Sequence, residues 1–231
     1  MLIKTEQKLL FIGDSITDCG RQFPNGEGSA EALGNGYVSI VESLLQATYP
    51  ERKIRVVNKG ISGNTVRDLK NRWQEDALNP NPDWLSIMIG INDVWRQFDA
   101  PFQTDNHVKP EEFKETLFQL VNETKSTVEG IVLMTPFYIE PSKKDPMRQK
   151  MDDYGSIVKK VAEQTNSIFI DTQAALAPLL SNLYSSAIAR DRVHPNPRGH
   201  MALARAFCKA FNLIGIKDYK KRGGHRAFFR T

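Results

Sequence analysis

The chain has 231 residues, of which 40% are hydrophobic, so it is long enough to bury the core of one full-sized domain. Its net charge of +4 is concentrated at one end: the last fifteen residues hold six basic side chains and one acidic side chain, and the other 216 residues together carry −1. A near-neutral body argues against a nucleic-acid-binding surface, and no apolar run approaches the roughly 18 residues that cross a membrane.

The two cysteines, Cys19 and Cys208, are too few for a disulfide framework and are expected to be thiols in a reducing compartment. The first residues lack the apolar segment of a signal peptide, so we expect a cytoplasmic protein. Residues 1–216 are predicted to form one catalytic domain. The basic segment 217–231 is interpreted as a solvated tail or part of a subunit contact, rather than as a nucleic-acid-binding arm.

Short apolar runs alternate with amphipathic stretches along the chain. The runs lack the alternation of polar and apolar residues, which is typical of strands covered on both faces. The alternation of strands with helices predicts βαβ units and therefore a parallel sheet in an α/β fold. Strands are predicted at 9–13, 54–58, 84–90, 130–135 and 167–171, and helices at 37–47, 111–125, 147–165 and 197–211.

The residues with chemical potential all follow predicted strands. Ser15 follows the first strand, Gly63 the second and Asn92 the third, and both Asp191 and His194 come after the last. Because ligands of open parallel sheets bind beyond the carboxyl ends of the strands, these four segments are expected to converge on one edge of the sheet.

A serine, a histidine and an aspartate are the components of a nucleophilic acyl-transfer site. Asp191 lies three residues before His194, so its carboxylate can accept from the imidazole Nδ1–H and leave Nε2 free as a base toward Ser15. Taken alone, Ser15 in Gly13-Asp14-Ser15 is an ordinary turn residue, and a lone histidine is usually structural. The G-x-S-x-G elbow of α/β-hydrolases is absent.

An acyl-transfer site also needs donors aimed at the developing oxyanion. The backbone N–H groups of Gly63 and Ser15 and the side-chain amide of Asn92 are the candidates. Read one at a time, the segments around Gly63 and Asn92 are merely turns; their positions after successive strands favour the oxyanion interpretation.

Asp14 and Asp93 are interpreted as turn carboxylates that accept local backbone N–H groups. No cluster with metal-ligand spacing and no phosphate-binding or dinucleotide-binding glycine motif is present, so neither a metal nor a cofactor is predicted. Residues 93–102 are predicted as an aromatic-rich loop. Its Trp95 and Arg96 are candidates for binding a sugar ring, and packing or a subunit contact is the equal alternative.

The assembled motifs resemble those of the SGNH (GDSL-type) hydrolase superfamily. The resemblance implies a three-layer αβα, flavodoxin-like fold with a five-stranded parallel sheet of order 2-1-3-4-5. It also implies Ser15 as the nucleophile, Gly63 and Asn92 as oxyanion donors, and Asp191 and His194 as the other triad members. The matching blocks are Gly13-Asp14-Ser15, Gly60-x-x-Gly63-Asn64, Gly90-x-Asn92-Asp93 and Asp191-x-x-His194.

Within the superfamily, segments 11–20, 56–70, 87–97 and 134–140 are similar to intracellular acetyl-xylan esterases. That resemblance implies a homo-oligomeric serine esterase acting on acetylated xylo-oligosaccharides. A triad mechanism needs no cofactor, and the charge and hydropathy above predict neither a nucleic-acid nor a membrane partner. The basic tail has no counterpart in that family. The polar and aromatic residues around Arg72 and Trp73, and around Trp95 and Arg96, also suit a sugar ester.

Two alternatives remain open at this point. One is a thioesterase or lysophospholipase that acts on longer acyl chains. The other is a non-catalytic binding domain of flavodoxin-like fold, such as a phospho-receiver. A receiver needs a lysine after its last strand, and the segment 167–172 offers none.

Overall fold

The computed structural model describes residues 1–29 and 31–213. Its centre is a five-stranded parallel sheet in the order β2-β1-β3-β4-β5. This order confirms the flavodoxin-like α/β fold implied by the resemblance. The strands are β1 Lys8–Gly13, β2 Arg55–Gly60, β3 Trp84–Met88, β4 Gly130–Met134 and β5 Ile168–Ile170.

Eight α-helices surround this sheet in the described part of the chain. Helix α8 packs against both α2 and α7. A second group forms where α6 packs against α4 and α5, and α5 packs against α3. The helices are α1 Ser15–Asp18, α2 Tyr37–Thr48, α3 Val66–Asn71, α4 Ile91–Asp99, α5 Pro110–Thr124, α6 Pro146–Thr165, α7 Thr172–Leu180 and α8 Pro197–Ala210. None of the helices among the described residues has the length and apolar character needed to cross a bilayer.

The central strand β1 is apolar because neighbouring strands flank it and helices cover both of its faces. Four successive residues of β1, 9–12, are fully buried. The ring of Phe11 contacts Tyr37 of α2 and Phe207 of α8 at centroid separations of 5.6 and 4.8 Å. Burial of aromatic side chains of this size contributes strongly to stability, so these contacts hold α2 and α8 against the sheet.

The strand register places three motif segments side by side. Gly13, the last residue of β1, pairs with Gly60 of β2 on one side and with Met88 of β3 on the other. A Cβ at Gly60 would lie 2.1 Å from the backbone nitrogen of Asp18, so only glycine lets the end of β2 pack against α1. The residues that follow these three strands therefore begin at one level of the sheet edge, as predicted.

The predicted strands all exist, with ends shifted by up to two residues. The third ends at Met88 rather than at residue 90, because Gly90 takes a φ of 124° and becomes the N-cap residue of α4. The loop predicted at 93–102 was wrong: residues up to Asp99 are helical. Helices α1, α3 and α7 were not predicted. The basic segment 217–231 lies outside the described residues.

Candidate active site

The structure brings Ser15, His194 and Asp191 into one hydrogen-bonded relay. The Ser15 hydroxyl lies 2.8 Å from His194 Nε2, and His194 Nδ1 lies 2.6 Å from an Asp191 carboxylate oxygen. With the Nδ1 proton directed to the carboxylate, Nε2 presents its lone pair to the Ser15 hydroxyl, which donates to it. The predicted contacts within this group are therefore present in the structure.

Local hydrogen bonds fix the histidine loop. The second carboxylate oxygen of Asp191 accepts the backbone N–H groups of Val193 and His194, at 2.9 and 2.8 Å. Burial raises the pKa of Asp191, but the hydrogen bonds from the His194 ring and from the two backbone groups outweigh it and bring the pKa below its ordinary value. Asp191 therefore stays ionised, as a group that orients and stabilises an imidazolium must.

The segment after His194 is held to the body of the protein. Asn196 caps α8 by accepting from the Arg198 N–H, and its own N–H and side-chain amide donate to the carbonyls of Ile188 and Ala187. Pro197 supplies the first helical residue, whose fixed φ suits that position. A well-capped helix that begins three residues after His194 limits the motion of the imidazole.

The oxyanion candidates lie on the adjoining segments. Gly63 has a φ of 85°, and a Cβ built there would meet nothing within 4 Å, so the backbone at this point faces open space. Asn92 is buried and gives one amide N–H to the carbonyl of Asn64, at 3.0 Å, which leaves its second N–H available. Ser15 is the first residue of α1, where a backbone N–H has no intrahelical acceptor.

Arg72 forms hydrogen bonds to the segments that carry Ser15 and Gly63. Its guanidinium donates to the side-chain oxygen of Asn64 at 2.7 Å, to the carbonyl of Lys59 at 2.8 Å and to the carbonyl of Gly13 at 3.0 Å. It also pairs with Asp76 at 2.9 Å. One planar fork of donors thus joins the ends of β1 and β2 to the loop that carries Gly63.

The sequence did not reveal this role of Arg72. Arg72 and Trp73 had been predicted to form part of a sugar-facing surface, and that prediction was wrong. Arg72 is occupied by backbone carbonyls, and Trp73 is buried with its indole N–H donating to Thr124 at 3.0 Å. The four-residue spacing of Arg72 and Asp76 predicts only that the two are neighbours on a helix. The hydrogen bonds from Arg72 to distant backbone carbonyls leave no pattern in the sequence.

Two carboxyl groups are buried next to the reacting residues. Asp14 caps α1 by accepting from the Ile16 N–H at 3.0 Å, which agrees with its predicted local role. Asp93 instead accepts from the N–H of Val66, 27 residues away, so its predicted role as a local turn carboxylate was wrong. Desolvation raises the pKa of both groups to about 7.

His200, which falls within the helix predicted at 197–211, has a structural role. It lies in α8, and its Nδ1 accepts the N–H of Tyr37, the first residue of α2, at 3.1 Å. Burial, together with the charge of His194, lowers the pKa of His200 to about 4. The ring is therefore neutral and joins two helices rather than taking part in proton transfer.

Trp95 is the aromatic residue that the structure places beside the triad. Its ring meets the His194 ring edge-on, with centroids 5.8 Å apart, and the Arg96 guanidinium lies 4.7 Å from the Trp95 centroid. A cleft of about 320 Å³ opens next to Trp95. A wider cleft of about 850 Å³ lies along residues 180–187. Neither cleft is lined by Ser15 or His194, but Trp95 of the smaller cleft contacts the His194 ring.

Residues 1–29 and 31–213 contain no group of three or more His, Cys, Asp or Glu side chains placed to hold a metal ion. The chemistry of the cluster is that of a serine nucleophile with a histidine base, which an ionised aspartate orients. The sequence model of the GDSL-like lipase/acylhydrolase family matches residues 11–202, a span that includes every residue of the relay. The chain belongs to this family.

Similar proteins match nearly the whole length of the chain. It is 64% identical over 218 residues to the acetylxylan esterase of Geobacillus stearothermophilus, a match that covers 94% of this chain and 100% of that protein. The crystal structure of that esterase, Axe2, is similar with a TM-score of 0.90 at 64% identity, over 91% of this chain and 96% of Axe2. Three Axe2 variants described as catalytic mutants replace a serine, a histidine and an aspartate by alanine.

A second solved structure shows the same fold at lower identity. LAE5, an alpha/beta hydrolase enzyme from the metagenome of Lake Arreo in Spain, matches with a TM-score of 0.90 at 48% identity. The match covers 92% of this chain and 98% of LAE5.

Proposed function

We propose that this GDSL-family protein is a serine esterase that removes acetyl groups from acetylated xylo-oligosaccharides. The observation that carries the proposal is the relay from Ser15 through His194 to Asp191, with contacts of 2.8 and 2.6 Å. The 64% identity to an acetylxylan esterase along its entire length supports the choice of substrate.

Acylation begins at the half-buried Ser15 hydroxyl. His194 Nε2 removes the proton as Oγ attacks the ester carbonyl carbon, and the resulting imidazolium is stabilised by ionised Asp191. Collapse of the tetrahedral intermediate breaks the bond to the sugar oxygen, which takes the proton from His194 and leaves as an alcohol. Ser15 then carries the acetyl group.

Deacylation repeats the sequence with water. His194 removes a proton from water, the hydroxide attacks the acetyl carbon, and Ser15 Oγ leaves with the proton returned by His194. Acetate is released and the enzyme is restored without a cofactor. In both halves, the N–H groups of Ser15 and Gly63 and the free amide N–H of Asn92 are proposed to bind the oxyanion, where each donor acts on charge that develops only in the transition state.

The test is acetate release from acetylated xylo-oligosaccharides by the full chain, with Ser15→Ala as the matched control. We expect release by the wild type and its loss in the variant. A parallel series of esters with two, four and eight acyl carbons on one alcohol measures acyl preference, and we expect kcat/KM to be highest for acetyl. A rise with chain length, with no acetate released from any sugar, would favour a thioesterase or lysophospholipase.

We further propose that the protein self-associates and acts in the cytoplasm. Both statements follow from the resemblance of the motif segments to intracellular acetyl-xylan esterases, and the free thiols Cys19 and Cys208 fit a reducing compartment. Light scattering coupled to gel filtration tests the assembly, and a monomer at micromolar concentration would contradict it. Truncation before Lys217 then shows whether the basic tail alters assembly; we expect turnover to persist.

A further inference from the structure

One face of α4 extends outward from the oxyanion site. Residues three or four positions apart are neighbours on a helix surface, so Trp95 lies beside Asn92, and Phe98 and Asp99 lie beside Trp95 along α4. At a rise of 1.5 Å per residue, this face spans roughly 9 Å from Asn92 to Phe98. A side-chain surface therefore runs continuously from the reacting centre toward solvent.

The opposite wall is formed by residues of the segment that follows β4 and by the start of α6. Tyr138 and Met147 face the α4 residues across the cleft of about 320 Å³, which Asp145 and Pro146 also line. The N–H of Ile139 donates to the carbonyl of Arg192 at 2.9 Å, so the segment that carries Tyr138 is bound to the residue next to Asp191. One wall thus starts beside the oxyanion candidate Asn92, and the other is hydrogen-bonded to the residue that follows Asp191. This space is called the α4 cleft below.

The chemistry decides which part of the substrate the α4 cleft can receive. The departing alcohol must lie within reach of His194 Nε2, because that nitrogen supplies its proton. Trp95 borders the cleft and also meets the His194 ring, with 5.8 Å between the ring centroids. The α4 cleft is therefore on the alcohol side of the ester.

The lining of the α4 cleft indicates an uncharged, hydroxyl-rich occupant. Its carboxylates have nearby cations: Asp99 pairs with Arg96 at 2.9 Å, and Asp145 lies 3.9 Å from Arg192. These carboxylates line the cleft and disfavour an anionic group, and their pairing with arginines removes the need for a cationic one. A long apolar chain would gain its roughly 0.8 kcal/mol per methylene only in an enclosed apolar channel. Aromatic walls with a polar rim suit a ring that presents an apolar face and hydroxyl edges.

We propose that the α4 cleft binds a sugar ring of the alcohol component, with Phe98 and Trp95 as its aromatic wall. A volume of about 320 Å³ lies at the lower end of small-molecule sites, which fits one or two rings rather than a polymer. The inference rests on the proposed deacetylation of sugars and adds the location and chemistry of the sugar subsite.

Phe98→Ala tests the α4 cleft, because Phe98 is 40% exposed and does not touch the relay. Phe102→Ala is the matched control, since Phe102 is 97% exposed and does not line the cleft. For each purified variant, kcat/KM is measured with acetylated xylotriose and with ethyl acetate, whose alcohol has no ring. Inhibition of ethyl acetate hydrolysis by unmodified xylotriose is measured in the same samples.

We expect Phe98→Ala to lower kcat/KM for acetylated xylotriose, relative to kcat/KM for ethyl acetate, by about five-fold. The inhibition constant of xylotriose should rise by a similar factor, and Phe98→Tyr should restore both values. Phe102→Ala should match the wild type. Equal losses on both esters in Phe98→Ala, or the same selective loss in Phe102→Ala, would overturn the α4 cleft assignment. Wild-type hydrolysis of ethyl acetate without release from any sugar would instead overturn the proposed substrate.

Discussion

Replacing Asp93 by asparagine tests the most unusual electrostatic feature of the site. Asp93 is 1% exposed, one of its carboxylate oxygens accepts from the Val66 N–H at 3.0 Å, and the other has no hydrogen-bond partner among the described residues. Its pKa is raised from 3.8 to about 7, mainly by burial and to a smaller extent by the nearby Asp14. Asparagine keeps the oxygen that Val66 needs and removes the ionisable group.

The size of the effect follows from proton linkage. Between pH 3.8 and about 7 the folded protein holds a proton on Asp93 that the unfolded chain releases, so the folded state binds more protons. The stability contributed by this group is therefore complete below pH 3.8 and is lost as the pH rises through 7. At 1.36 kcal/mol per pKa unit, the loss reaches about 4 kcal/mol at pH 8, of which about 3 kcal/mol falls between pH 5 and pH 8.

Urea unfolding of the wild type and Asp93→Asn is measured from pH 5 to pH 8 at one protein concentration. We expect the variant to gain about 3 kcal/mol relative to the wild type over this range, whatever its packing cost at any single pH. Asp153→Asn, at an exposed carboxylate of α6, controls for loss of a surface charge. A difference between wild type and Asp93→Asn that stays constant with pH would refute the assignment of Asp93 as a buried acid.

Three further outcomes test the catalytic geometry. Ser15→Ala and His194→Ala should each lower kcat for an acetyl ester by at least about 10³-fold, because relay members act as a unit; near-normal turnover in pure Ser15→Ala would rule out the acyl-enzyme route. Asn92→Ala should lower kcat by roughly 10² to 10³ with little change in KM, and an unchanged kcat would remove Asn92 from the oxyanion site. Arg72→Lys should lower kcat by about ten-fold at unchanged KM, since a compact ammonium cannot reach the four acceptors that the planar guanidinium joins; a change in unfolding midpoint alone would limit Arg72 to stability.

The positions of the reacting residues were predictable because strand ends are predictable. An apolar run that stops at Gly13-Asp14-Ser15 locates the end of β1, and a parallel sheet brings such ends together whatever their separation in sequence. Ser15 and His194 are 179 residues apart and lie within hydrogen-bonding distance. The strand order itself came from the family resemblance, because periodicity carries no information about which strands are neighbours.

The errors lie where long-range contacts override local signals. Residues 93–102 were predicted as a loop, yet one oxygen of the Asp93 carboxylate accepts from the distant Val66 N–H inside the first turn of α4. Trp73 was expected near a sugar and is instead buried against Thr124. Residue type alone does not distinguish a buried partner from a solvent-facing contact.

Two of the oxyanion candidates, Gly63 and Asn92, lie on segments that a pair of hydrogen bonds joins. The side chain of Asn92 donates to the carbonyl of Asn64, and the next residue, Asp93, accepts from the N–H of Val66. Both bonds join the start of α4 to the segment that follows Gly63, so these donors move together. Arg72 then binds this segment to the carbonyl at the end of β1, two residues before the nucleophile. Because an oxyanion site loses its effect when its donors shift by fractions of an ångström, these contacts explain why buried polar groups occur here despite the cost of their desolvation.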